Sequence, residues 1–278
     1  MIKKYASIRM KRTFLFNISY FCHFNYFLDK VLKSCLVYET IKLDIVLPCY
    51  NPLPDWEKRI IKAMNTLKIA LPQVELYLYI VNDGSSQNIQ PSSIEALKKA
   101  IKHFEFIEYQ QNRGKGFALR KGVIATKNDL CIYTDIDFPY EMESFIRIYE
   151  DLRKGSDVSI GVRSEVYYES VPKVRILISK TLKFFVRNML SLPVADTQCG
   201  LKGFNKKGKA LFLQTTIDRY LFDLEFVFNT AKQKTLNLEP ITVELRPGIV
   251  FTNMNFKVLF QEGRSFLKIF FKSLFSKN

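Results

Sequence analysis

Histidine and cysteine are scarce: two of the first (His23, His103) and five of the second (Cys22, Cys35, Cys49, Cys131, Cys199) in 278 residues. No two cysteines form a CxxC pair, which disfavours a zinc ribbon, a disulfide scaffold and most histidine-based catalytic arrangements. Thiols inside strand-like apolar runs read as reduced core residues, which points to a cytoplasmic location. Eleven glycines and ten prolines are too few for a fibre. Long hydrophobic runs are missing too, since no stretch reaches the roughly 18 to 20 apolar residues that span a bilayer. The longest uncharged run near the start, Thr13 to Leu28, is interrupted by Asn17, Ser19, His23 and Asn25. It has no small-residue cleavage site, so residues 1–40 read as a basic, aromatic arm rather than an export signal.

What is present is a globular composition, 47% hydrophobic and 25% charged, ample for one large α/β domain or at most two small ones. The net charge of +15 is unevenly placed. Residues 1–42 carry eight Lys/Arg against two acids, residues 173–192 five against none, and residues 250–278 five against one. These three stretches account for the whole excess, and their usual partners are nucleic acid or an anionic membrane.

The basic stretches are interleaved with apolar residues at helical spacing. Phe266, Leu267, Phe270, Phe271 and Leu274 run beside Lys268, Lys272 and Lys277 in a tail over 249–278. Val174, Leu177, Ile178, Leu182, Phe185 and Met189 run beside Lys180, Lys183 and Arg187. Such helices lie in a membrane interface, apolar face down, or pack on a core as any amphipathic helix does. No nucleic-acid-binding module accompanies the charge, so no nucleic-acid partner is expected.

Through the middle, short apolar runs alternate with helical patterns, the signature of a mostly parallel sheet flanked by helices. Strands are predicted at Leu43–Leu47, Val74–Val81, Phe104–Tyr109, Leu130–Thr134 and Asp157–Gly161. Helices are predicted at Asp55–Leu71, Ser92–Lys102, Gly116–Thr126 and Glu141–Arg153. Three strands end in polar clusters: Pro48-Cys49-Tyr50-Asn51, Asn82-Asp83-Gly84-Ser85 and Asp135-Ile136-Asp137. Ligands of open parallel sheets bind outside the carboxyl ends of the strands, so these ends point to one site.

Asp135 and Asp137 are hard oxygen ligands suited to Mg²⁺ or Mn²⁺ beside a diphosphate. Asp83 could accept hydrogen bonds from a nucleotide base or ribose. Asn112-Arg113-Gly114-Lys115-Gly116 is no Walker A loop, lacking its spacer and trailing hydroxyl. It could still bring backbone amides and the Lys115 cation to a phosphate at a helix start.

In order and spacing these four clusters, over roughly residues 41–248, resemble a family 2 inverting glycosyltransferase with the GT-A fold. The run Asp196-Thr197-Gln198-Cys199-Gly200-Leu201-Lys202-Gly203-Phe204 resembles the block of polyprenyl-phosphate glucosyl- and mannosyltransferases. The resemblance implies a nucleotide-sugar donor, UDP-glucose first, held at Pro48, Tyr50, Asn51, Asp83 and Lys115. It implies a divalent cation at Asp135 and Asp137, a lipid phosphate gripped by Arg163 and Arg175, and Asp196 near the acceptor. Asp223 and Glu225 would shape the sugar pocket. Asn51 is followed by Pro52 where the family usually has Glu, Asn82 stands for a commoner Asp, and Phe138-Pro139 departs from the mannosyltransferase type.

The expected reaction is displacement of a nucleoside diphosphate by a polyprenyl-phosphate oxygen, catalysed by an enzyme peripheral on the inner face of a membrane. A phosphate acceptor is already anionic and needs positioning, whereas a sugar hydroxyl would need Asp196 or Asp223 as general base. Two alternatives stand beside it: extension of a polysaccharide through a sugar hydroxyl, and an inactive nucleotide- or membrane-binding protein. A homo-oligomer or a membrane-protein partner is left open.

Overall fold

The computed structural model describes residues 40–164, 173–190, 192–249 and 256–275. The expectations for the arm over residues 1–40 therefore lie outside the described residues. Seven strands form one sheet in the order β3-β2-β1-β4-β6-β5-β7. They are β1 (Ile41–Cys49), β2 (Val74–Asp83), β3 (Phe104–Tyr109), β4 (Leu130–Tyr133), β5 (Val158–Arg163), β6 (Lys202–Phe204) and β7 (Leu238–Val243). β1 pairs β4, β2 pairs β3 and β5 pairs β7 in parallel, while β6 runs antiparallel between β4 and β5. This is the mostly parallel α/β sheet expected, with one reversed strand added.

The connecting helices are α1 (Trp56–Ala70), α2 (Pro91–Ala100), α3 (Lys115–Ala125) and α4 (Met142–Arg153). After β5 come α5 (Lys173–Phe185) with a π-helical turn at Val186–Leu190, α6 (Lys206–Phe212), α7 (Phe222–Lys232) and α8 (Phe256–Phe275). Side chains alternate across the pleat, so each strand feeds two layers. Val46, Val81, Tyr133, Ile160 and Phe204 join a core with Leu119 of α3, Phe212 of α6 and Phe226 of α7. On the other face Gly203 of β6 leaves room for Ile148 and Leu152 of α4, either of which a Cβ there would strike.

The first core is aromatic. Phe212 and Phe226 meet edge-on at 5.2 Å between ring centres, and Tyr133 lies against Phe204, Phe212 and Phe222. Edge-to-face pairs of this kind add about 0.5–1.5 kcal/mol each beyond the area they bury. From Phe222 to Phe228 α7 is buried at every position, Asp223 and Glu225 included. A stretch so buried must neutralise its acids internally.

The two amphipathic helices differ from their predicted faces. In α5 and the turn after it, Val186 and Leu190 are buried, whereas Leu177, Phe184, Phe185 and Met189 are exposed. Leu177 and Phe185 face out within the regular helix, and the wider repeat of the π-turn that follows at Val186–Leu190 carries Met189 outward as well. In α8 the inward residues are Phe266, Ile269, Phe270 and Ser273, and Leu267, Phe271 and Leu274 face out. The single stripe read from the sequence is thus two faces, one packed on the core and one exposed.

Candidate active site

At the carboxyl end of β1, Pro48 is half-buried in the strand and Tyr50 is exposed. Asn51, at φ 44°, turns its side chain back over the end of β2. Its Oδ1 accepts the amides of Ser86 and Gln87 at 2.9 and 3.2 Å, and its own amide donates to Ser85 Oγ at 2.9 Å. Two strand ends are thereby locked by one side chain. Gly84 allows a third to join: at φ 65° it lies against the 110–112 backbone, where a Cβ would come within 2.6 Å of Asn112 N.

Asp83 is buried, and its carboxylate is spoken for. Oδ1 accepts Tyr109 Oη at 2.8 Å and the Arg113 amide at 2.7 Å. Oδ2 accepts Asn112 Nδ2 at 2.8 Å and the Gly114 amide at 2.9 Å. Four donors use the lone-pair positions of a carboxylate. Burial, followed by that bond to Asp83, pushes the Tyr109 phenol well above its usual range. Asp83 thus builds the loop that begins α3 and presents Lys115.

Lys115 Nζ lies 2.5 Å from Asp135 Oδ1. Burial works against its charge, but Asp135, with Asp223 behind it, overrides this and raises its pKa. Burial first, then the neighbouring Asp135 carboxylate, hold Asp137 above the ordinary carboxylate range. The two acids are therefore close enough to repel, at the tip of β4 as expected. Gly200 completes the setting. A Cβ on it would lie 2.5 Å from Asp135 Oδ2 and 3.2 Å from Lys115 Nζ, so the 196–204 segment forms the wall against which Asp135 rests. Its amide donates to Tyr140 Oη at 3.1 Å.

Arg246 follows β7. It donates to the Asp137 carbonyl at 2.6 Å, and its buried Nε has no partner among the described residues. An unpaired buried donor on a cation, beside two carboxylates, is suited to an anionic oxygen. Nothing in the run Leu245-Arg246-Pro247-Gly248 sets this arginine apart from a surface one; its signal is spatial.

Arg163 and Asp196, 33 positions apart, form a fork. Asp196 Oδ2 accepts the Arg163 amide and Nε at 2.8 and 2.9 Å, and Oδ1 accepts a terminal nitrogen at 2.5 Å. Lys183 Nζ of α5 stands 3.8 Å from the same carboxylate. Burial works against the Asp196 charge, but Arg163 and Lys183 outweigh it and hold the carboxyl below its usual range. Arg175 lies in the first turn of α5, where the structure describes no side chain. Asp223 accepts Lys202 Nζ and Tyr133 Oη, both at 2.6 Å, all three groups buried. Lys202 also donates to the Cys199 carbonyl. Glu225 accepts the amides of Thr216 and Ile217 at 2.7 and 2.9 Å.

A divalent cation fits Asp135 and Asp137 only in company. Among the described residues no group of three or more His, Cys, Asp or Glu side chains could hold a metal. Mg²⁺ in particular takes one or two carboxylates and completes its shell with water and substrate phosphates. Two repelling carboxylates with Lys115 and Arg246 beside them suit a cation that arrives with a diphosphate.

The polar side chains gather at the carboxyl ends of a mostly parallel sheet, where open sheets of this class bind their ligands. Residues 44–210, more than half of the chain, match the pattern described as "Glycosyl transferase family 2", and the chain belongs to that family. Among curated proteins, it is 26% identical over 209 residues to a dolichyl-phosphate beta-glucosyltransferase of Dictyostelium discoideum, covering 70% of this chain and 63% of the relative. The enzyme of that name from Homo sapiens is 24% identical over 204 residues, covering 68% and 63%. The chain thus spans less than two thirds of the length of these relatives. Among solved structures, a mannosyltransferase from Pyrobaculum calidifontis in complex with GDP-Man and Mn2+ is 12% identical, with a TM-score of 0.47 over 74% of this chain and 57% of that one.

Proposed function

We propose that this protein transfers a sugar, glucose from UDP-glucose in the first instance, to a polyprenyl (dolichyl-type) phosphate, with inversion at the anomeric carbon. The observation that carries the acceptor class is the state of the two acids a hydroxyl acceptor would need. Asp196 is ion-paired with Arg163, and Asp223 with Lys202. An acid held low by a bidentate arginine is a poor general base. A lipid phosphate needs none: its oxygen forms the new bond to the anomeric carbon as the bond to the diphosphate oxygen breaks.

In this reading Tyr50 and the Asn51–Ser85 turn flank the nucleotide, and Asp83 shapes its loop. Lys115 and Arg246 face the diphosphate, and Asp135 and Asp137 would hold a divalent cation that neutralises charge on the leaving group. Asp196 orients Arg163 toward the acceptor phosphate, with Arg175 as its second cation. The names of the curated relatives support the lipid and the glucose. The purified protein with Mg²⁺ or Mn²⁺ is expected to form a glycosyl polyprenyl phosphate, and a chelator to stop it. Turnover on a free oligosaccharide with none on the lipid phosphate would replace this reading with polysaccharide extension.

The exposed apolar faces support a membrane-surface location. Phe185 of α5 meets Phe266 of α8 at 5.8 Å between ring centres. Leu177, Phe184, Met189, Leu267, Phe271 and Leu274 stand outward on the two helices, with Lys180, Arg187, Arg264 and Lys268 exposed among them. That chemistry fits an anionic bilayer surface, peripheral and on the cytoplasmic side. Among the described residues no helix is long and apolar enough to cross a membrane. α5 also carries Lys183 to 3.8 Å from Asp196, which supports a lipid phosphate held at the Arg163–Asp196 pair beside this helix. The protein should pellet with anionic vesicles, and Phe184→Asp with Phe271→Asp should lower the vesicle partition coefficient at least about 100-fold, from roughly 1.5–3 kcal/mol of burial for each phenylalanine. Unchanged pelleting would sink the assignment. Truncation at residue 264 is a poorer test, since it strips Ile269 from the core.

A further inference from the structure

Glu262, on α8, reaches the turn that precedes α7. Its two carboxylate oxygens accept the amides of Leu221 at 2.9 Å and Tyr220 at 3.3 Å. Further along α8, Lys268 Nζ donates to Thr216 Oγ1 at 3.0 Å. The helix therefore holds both ends of the segment 216–221.

That segment is packed without slack against the start of α3. The Asp218 carbonyl accepts the Phe117 amide at 3.1 Å, and Arg120 donates to the Ile217 carbonyl at 2.8 Å. A Cβ on Gly114 would stand 2.5 Å from Asp218 O, and one on Gly116 2.5 Å from Ile217 O. Lys115 sits between those two glycines. The exposed Tyr220 stands near Lys115.

We infer that Glu262 is a positioning residue for donor binding: by fixing Tyr220 and Leu221 it sets the backbone on which Lys115 stands, and so joins α8 to the donor site. The inference rests on the reading of Lys115 as a diphosphate-binding group. Glu262 lies outside residues 44–210, so the family pattern does not reach it. A purely structural role is the competing explanation, because a carboxylate satisfying amides at the start of α7 stabilises that helix whatever binds nearby.

The test uses the full chain and UDP or GDP with Mn²⁺ as probe, without lipid. Glu262→Ala is expected to weaken nucleotide binding roughly tenfold, a part of what its two charge-assisted hydrogen bonds contribute. Glu262→Gln, which keeps one acceptor, should fall between it and wild type. The KM for polyprenyl phosphate should stay within about twofold, since uniform loss of structure would move both substrates. In the unaltered protein, adding UDP and Mn²⁺ should slow amide exchange in 216–221 and also in 262–268. If the wild type binds neither nucleotide, the donor reading itself fails. If it binds, and either Glu262→Ala and Glu262→Gln bind as tightly or exchange in 262–268 is unmoved, the inference falls while the donor reading stands. Should Glu262→Ala not fold, Glu262→Gln and the exchange measurement decide.

Discussion

Lys202→Met is expected to destabilise the protein by about 3–5 kcal/mol, the cost of removing one partner from a buried ion pair. Lys202 is fully buried in β6, opposite Tyr133 in the register of the antiparallel ladder. Its ammonium donates to Asp223, and the Tyr133 hydroxyl donates to the same oxygen. Burial, and then the Asp223 charge, keep that phenol protonated far above its usual range. Without the lysine, Asp223 is a carboxylate in an aromatic core with one neutral donor. It must protonate or draw water in, and either disturbs the packing of Phe204, Phe212 and Phe222. The Cys199 carbonyl loses its donor at the same time. Lys202→Met combined with Asp223→Asn removes the stranded charge and keeps an acceptor for Tyr133, so at least about half of the lost stability should return. Chemical denaturation of the wild type and the two variants measures this. A single-variant loss under about 1 kcal/mol would mean that the buried pair is not what holds β6 in place.

That lysine also shows where reading by pattern stops. From β1 to β5 each strand and helix announces itself by period, because apolar residues recur every second or every third to fourth position. The predicted Phe104–Tyr109 strand has the observed ends, and the others shift by a few residues. β6 has only three residues, Lys202-Gly203-Phe204, too few to show a period, and a lysine at a core position reads as surface. The π-turn after α5 is equally silent in sequence, yet it sets which of Val186, Met189 and Leu190 face the core. The site divides in the same way. Asp135 and Asp137 are legible because they follow an apolar strand. The saturation of Asp83 is not, because Tyr109, Asn112, Arg113 and Gly114 lie about thirty positions away and only the β2–β3 pairing brings them near. Arg246 and Glu262 likewise carry no local signal; each matters through what it touches.

Gly200→Ala is expected to lower kcat/KM by about 100-fold, the scale of a 1 Å misplacement in an active site. The added methyl would stand 2.5 Å from Asp135 Oδ2 and 3.2 Å from Lys115 Nζ, well inside contact distance. Gly200 does not have the positive φ that only glycine tolerates, so the backbone itself accepts alanine. The strain must therefore go into the short Asp135 side chain, which is pinned by Lys115 on its other oxygen. If Asp135 swings away, the pairing with Asp137 that the proposed cation would need is lost, and Lys115 loses the charge that fixes it. Folding should change little, by about 1 kcal/mol or less, because a carboxylate can rotate at modest cost. Asp135→Ala removes the ligand altogether and should cost about 100- to 1000-fold, as deletion of one electrostatic stabiliser does. The two variants should also share a signature: weaker dependence of rate on Mn²⁺ concentration, with the apparent metal affinity lowered in Gly200→Ala. Full activity in Gly200→Ala with wild-type metal dependence would show that Asp135 does not act from the position it occupies against Gly200.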